Sequence, residues 1–98
     1  MGEIFDPQFG NLERAMELAT MRQEVITHNI ANAKTPGFEA LEFNEELKSA
    51  VKRQDKKQVV LEEELAKLTD NSVKYSALVK LLSAKVNVLK TIASQGRR

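Results

Sequence analysis

The chain has 98 residues, no cysteine, 42% apolar and 30% charged residues, and 15 Lys and Arg against 14 Asp and Glu. Such a length closes only a small core, and the lack of Trp argues against a thick globular one. Near-zero net charge offers no global field for nucleic acid or an anionic membrane, and the missing thiols exclude disulfides and thiolate metal sites.

Residues 1–10, "MGEIFDPQFG", mix Phe5, Phe9, Pro7 and Gly10 without a period and read as a flexible or partner-ordered arm. They carry no basic stretch followed by an apolar run, so any export is expected to proceed without a cleaved signal peptide. No run is long and apolar enough for a transmembrane helix.

An N-terminal helix is predicted over residues 11–34, with Asn11 as its N-cap. Leu12, Met16, Ala19, Ile26, Ile30 and Ala33 step along one seam, with Ala15, Leu18 and Val25 beside it. From Leu12 to Ala33 such a helix would be about 33 Å long. Pro36 then drives Thr35 out of the helical basin, and Pro36-Gly37 suits the two central positions of a type II turn. Residues 35–44 are read as this turn followed by a short extended piece, whose Phe38 and Phe43 can fold back on the helix end. Asn29 and Asn32 lie one turn before the break. Their amides suit either local capping or a rigid corner that docks on a neighbouring protomer.

Residues 45–58, "EELKSAVKRQDKKQ", are almost wholly polar and read as a surface connector with a helical start. A C-terminal helix is predicted next, over residues 59–95, about 50 Å if it runs from Val59 to Ser94. Leu61, Leu65, Leu68, Ser72, Tyr75, Val79, Leu82, Val86, Leu89 and Ala93 alternate steps of four and three. Leu78, Leu81, Val88 and Ile92 widen that stripe in its second half. The expected fold is therefore all-α, an antiparallel, coiled-coil-like hairpin of N- and C-terminal helices joined by the Thr-Pro-Gly turn and an irregular connector. One partner helix covers only part of each stripe, so assembly with other chains is expected to complete the burial.

Candidate chemistry is sparse. His28 is the sole histidine, with Glu24 one turn before it, and a lone imidazole without further ligands supports neither a metal site nor a catalytic pair. Glu62, Glu63 and Glu64 point in different directions from consecutive helix positions and suit the helix dipole better than a cation. Glycine occurs only at positions 2, 10, 37 and 96, which leaves no phosphate-binding loop. Lys48, Lys52, Arg53, Lys56 and Lys57 are diluted by Glu45, Glu46 and Asp55, which argues for a solvated connector over a nucleic-acid groove. No enzymatic activity, catalytic residue, metal or cofactor is expected.

The stretch "RQEVITHNIANAKTPGFEA" resembles the N-terminal signature of the bacterial flagellar rod, hook and related axial proteins. Its turn motif falls on Asn29, Ile30, Ala31, Asn32, Thr35, Pro36, Gly37 and Phe38. Within that family, "VVLEEELAKLTDNSVKYSALVKLLSAKVNVLKTIAS" is similar to the proximal rod subunits, with Glu62, Glu64, Leu65, Leu68, Asn71, Tyr75, Leu78, Leu81, Leu82, Lys85 and Leu89 on matching positions. The resemblance implies a structural subunit of the basal-body rod, packing through Leu12, Met16, Ala19, Ile26, Leu61, Leu65, Leu68, Tyr75, Val79, Leu82, Val86 and Leu89. Implied partners are copies of itself, the rod subunits FlgC, FlgF and FlgG, the rod-base adaptor FliE and the flagellar type III export apparatus. The implied location is the rod where it crosses the periplasm. The resemblance also implies a middle segment longer than residues 45–58. A soluble export-linked chaperone or adaptor offering the same stripe to clients is the alternative, and a DNA-binding hairpin ranks below both.

Overall fold

Proline has no backbone N–H and a preset φ, so it fits a helix's first turn, where that donor would lack a partner. In the computed structural model, which describes residues 7–96, the first helix (α1) starts on such a residue and spans Pro7–Ala31. It takes in residues 7–10, which the sequence reading leaves in the arm, and Asn11 becomes an interior helical residue instead of a cap. The part of the expected arm at residues 1–6 lies outside the described residues.

The helix ends as its sequence requires. Asn32 N–H reaches both His28 O (3.1 Å) and Asn29 O (3.2 Å), and Ala33 N–H reaches Ile30 O at 3.2 Å, so the last turn tightens. The Asn32 amide donates to His28 O at 2.9 Å, filling one of the orphan carbonyls. Phe38 N–H then bonds Thr35 O at 3.2 Å across Pro36 and Gly37, and Gly37 sits at φ 77, the geometry of a type II turn.

Past this turn the fold departs from the all-α expectation. The chain forms two strands, β1 (Leu41–Asn44) and β2 (Ser49–Lys52), paired antiparallel with Leu41 opposite Lys52 and Asn44 opposite Ser49. The hairpin joins the end of the extended piece expected over residues 35–44 to the first half of the 45–58 connector, where a turn and a strand replace the expected helical start. Asn44 starts the reversal by accepting Leu47 N–H on its side chain at 2.9 Å, and Lys48 closes it in the left-handed region at φ 52. One further rung, Arg53 N–H to Ala40 O at 2.9 Å, extends the ladder, and Ala40 N–H donates to Lys57 O at 2.7 Å. So short a hairpin is marginal in water on its own, so its stability has to come from the helices it leans on.

The second helix (α2) spans Leu61–Gly96 and runs antiparallel to α1, since Glu64 meets Asn29 while Asn71, further along α2, meets Ala19, further back on α1. Its inner row is Glu64, Leu68, Asn71, Tyr75, Leu78 and Leu82, all buried or half-buried. This row shares Leu68, Tyr75 and Leu82 with the predicted seam but replaces Leu61, Ser72 and Val79 by residues on the adjoining flank. The pair forms a rod-shaped body, 66 × 24 × 17 Å. Its buried apolar core is Ala19, Val25, Ile26 and Ala40, whereas Val73, Val79, Leu81, Val88 and Ile92 on α2 stay exposed.

Candidate functional site

The most buried polar groups in the described chain gather in a knot where α1, the hairpin and α2 meet. Asn29 and Glu64 are fully buried and Arg53 nearly so. Asn29 acts as a substitute strand: its Oδ1 accepts Leu41 N–H at 2.9 Å, and its Nδ2 donates to Leu41 O at 2.8 Å. The same Nδ2 reaches Glu64 Oε1 at 2.9 Å. Arg53 Nη2 joins from the far side of the hairpin, 3.2 Å from Glu64 Oε1 and 3.3 Å from Leu41 O. Lys67, one turn along α2, supplies Glu64 Oε2 with a second cation at 3.3 Å. One carboxylate therefore ties together three elements separated widely in sequence.

Burial by itself pushes the Glu64 carboxyl pKa up. The Asn29 amide, Lys67 and Arg53 together outweigh it, so the group titrates below the usual carboxylate range and stays ionised. A buried ion pair gains little over an apolar pair of equal volume but is costly to break, so its main effect is to specify one arrangement.

Peripheral contacts fasten the hairpin along α1. The Arg22 guanidinium lies 5.6 Å from the Phe43 ring centre and forms an ion pair with Glu45. Phe38 folds back edge-on to His28, with ring centres 5.5 Å apart. Beside the knot runs an open groove of about 310 Å³, walled by Val25, Ile26, Leu41, Phe43 and Asn71 among others. The Asn71 Nδ2 donates to Ala19 O at 2.8 Å, while its buried Oδ1 finds no protein partner.

These groups make a structural joint with no reactive arrangement. Among the described residues no cluster of His, Asp and Glu could hold a metal ion. Of the basic connector residues, Arg53 is in the knot, Lys52 faces Glu39 at 3.6 Å and Lys56 faces Glu63 at 2.9 Å, so acids of the same chain engage them.

A family described as "Flagella basal body rod protein" matches residues 10–38, the stretch that holds Asn29, its cap and the type II turn. The chain is similar to the flagellar basal body rod protein FlgB of Bacillus subtilis (strain 168), 28% identical over 127 aligned positions that cover 96% of this chain and 98% of that one. The family match thus covers 29 of the 98 residues. FlgB of Proteus mirabilis (strain HI4320) is 26% identical over 125 positions, covering 86% of this chain and 91% of its own length. FlgB of Escherichia coli (strain K12) agrees over a shorter span, 46% over 43 residues, or 42% of this chain and 31% of its own. The 127 positions aligned with the Bacillus protein exceed the 98 residues here, so that relative carries residues with no counterpart in this chain. The family is one of structural flagellar proteins and not of enzymes.

The expected packing residues separate into three groups. Ala19 and Ile26 are buried between the helices. Leu12, Met16, Leu68, Tyr75, Leu82, Val86 and Leu89 are half-buried. Leu61, Leu65 and Val79 are exposed, because the inner row takes the neighbouring positions. The turn motif divides too: Asn29 turns inward, Ile30, Asn32 and Phe38 are half-covered, and Ala31, Thr35, Pro36 and Gly37 stay exposed. Asn29 spends its amide on Leu41 and Glu64 of its own chain, and Asn32 caps the His28 carbonyl. Glu64, Asn71 and Arg53 were missed as joint residues because a search for apolar periodicity passes over polar seam positions.

Proposed function

We propose that this chain is a structural subunit of the proximal basal-body rod, assembled through the outer faces of its two helices into the torque-transmitting axial tube. The observation that carries this reading is the imbalance of its apolar surface. Four apolar residues are buried in the described chain, while Val73, Val79, Leu81, Val88 and Ile92 on one helix stay exposed. The match of residues 10–38 to the rod family and the likeness to FlgB support association with other rod components; copies of itself, FlgC, FlgF, FlgG and FliE are the neighbours proposed. Export through the type III apparatus without signal cleavage, and a place where the rod crosses the periplasm, complete the proposal. No helix among the described residues is long and apolar enough to cross a membrane.

Mechanically, the knot suits a loaded part. Shear along α2 would drag Glu64 past Asn29 and Arg53, separating a buried charge from its partners, which costs several kcal/mol where sliding leucines costs little.

The test uses Leu81, which is 57% exposed and lies on the outer flank. Leu81→Asp is expected to leave the free chain's stability within about 0.5 kcal/mol, yet to abolish incorporation into basal bodies and motility. Leu82→Asp would not serve, because Leu82 faces α1 and its loss damages the fold itself. Mass spectrometry of purified basal bodies should find this chain as a stoichiometric component. Its absence there, or normal motility of the Leu81→Asp strain, would count against the proposal and favour the chaperone reading.

A further inference from the structure

The two ends of the molecule carry surfaces of opposite character. Asp70 is the last acid in the sequence, and residues 71–98 hold six Lys and Arg. On this stretch of α2, Leu81, Val88 and Ile92 fall at helical spacing on one face, where they are 57%, 58% and 53% exposed. Lys80 and Lys85 border the row, one on each side. Continuing the antiparallel register from the Ala19 and Asn71 pair sets Pro7 beside roughly residue 83, so α2 runs on past α1 for about 20 Å. Val88 and Ile92 lie on that free length.

At the hairpin end, the open groove beside the knot has Val25, Ile26 and Phe43 in its walls, together with Glu42. Glu42 and Phe43 also line an adjoining recess with Glu45 and Glu46. The cations that line the groove are each held by an acid of the same chain: Arg22 by Glu45, Arg53 and Lys67 by Glu64, Lys56 by Glu63, and Lys74 by Asp70. Glu42 and Glu46 make no ion pair among the described residues, so the charge left over on this surface is negative. Asn71, 2% exposed, lines the groove too, and its Oδ1 is a buried acceptor with no donor among the described residues. Both surfaces are fixed to one rigid α2, with Glu64 in the knot and Val88 about 36 Å apart along it, so they cannot meet within one chain.

We propose that the Leu81, Val88 and Ile92 face of one copy docks in the hairpin-side groove of a second copy, its apolar row against Phe43 and the edges of Val25 and Ile26, its lysines toward Glu42 and Glu46. Like-on-like pairing is the poorer arrangement, because it sets basic surface on basic or acidic on acidic. A contact between two different surfaces leaves one of each free on the growing ends, so addition continues into an open chain. What such a chain builds rests on the rod-subunit reading; the contact itself rests on charge, exposure and the groove.

Sedimentation velocity of the full chain over rising concentration at low salt tests the contact. The parent should grow steadily in mass without stopping at a dimer, and added salt should reverse the growth. Glu42→Lys with Glu46→Lys makes the groove basic, and Lys80→Glu with Ala84→Glu makes the α2 face acidic, all at exposed positions. Each double variant alone should need about tenfold more protein than the parent to reach the same mass. An equimolar mixture of the two should recover the parent's behaviour, because each altered surface then matches its counterpart on the other variant. Val88→Asp, beyond the end of α1, should weaken association likewise, and unchanged circular dichroism and melting midpoints verify that every variant folds. A parent that stays monomeric, growth that ends at a dimer, parent-like association of Val88→Asp, or a mixture no better than its components would each overturn the contact. Mass spectrometry of basal bodies is read separately, so the contact can fail while the rod assignment holds, and the reverse.

Discussion

Asn29→Asp replaces one amide nitrogen by oxygen and leaves the shape of the side chain unchanged. The nitrogen it removes donates to Leu41 O at 2.8 Å and to Glu64 Oε1 at 2.9 Å. A neutral hydrogen bond contributes about 1 kcal/mol and one to a charged group about 1.5–3 kcal/mol. The variant also sets a second carboxylate against the buried Glu64, so a loss of about 4–6 kcal/mol is expected near neutral pH, a large part of the ~5–15 kcal/mol that holds a small domain together. Urea unfolding monitored by circular dichroism measures it. The pH dependence carries a second signature. In the parent, Glu64 titrates below its unfolded value, so its stabilisation is present above about pH 4.3 and is lost as pH falls further. In the variant, two facing carboxyls raise the pKa of the pair above its unfolded value. Stability should then increase as pH falls toward about 4, because the folded form takes up a proton that the unfolded chain does not. The two curves should converge on acidification. A variant within about 0.5 kcal/mol of the parent at neutral pH, or a constant gap between the curves, would refute the role given to the Asn29–Glu64 knot.

Gly37→Val should cost about 1–2 kcal/mol through backbone strain alone, since Gly37 holds φ 77 and an added Cβ meets nothing within 4 Å; thermal denaturation checks this. Lys48→Gly should stabilise the hairpin by up to about 1 kcal/mol, because Lys48 now occupies the left-handed region at φ 52; urea midpoints read the change. Asn71→Leu should be neutral or stabilising, because it removes the unpaired Oδ1 along with the single bond to Ala19 O; a loss above about 2 kcal/mol would show that Asn71 Oδ1 is satisfied in solution.

The helices and the Thr-Pro-Gly turn were legible because their signals are local: apolar residues at helical spacing, and a proline followed by a glycine. Of the hairpin, only the extended piece that holds β1 was. Its turn lacks the Asn-Gly or Asp-Gly signature, its strands are too short to establish a period, and Glu45, Glu46, Leu47 and Lys48 are all good helix formers. The contacts that hold it are non-local. Asn29 meets Leu41 and Glu64 meets Arg53 across the chain, and neither pairing leaves a mark in any short window. The same blindness shifted the reading of α2 by one flank. Leu61, Leu65 and Val79 looked like core by hydropathy, whereas Glu64 and Asn71 occupy the inner row and bury polar atoms there. A seam of leucines alone tolerates sliding, because one apolar side chain replaces another at nearly equal free energy. Moving α2 by one heptad would instead bury Glu64 without Asn29 or Arg53, at a cost of about 3–5 kcal/mol. The polar residues that apolar periodicity overlooks are thus the ones that set the register of the two helices, and with it which apolar flank is left for a neighbour.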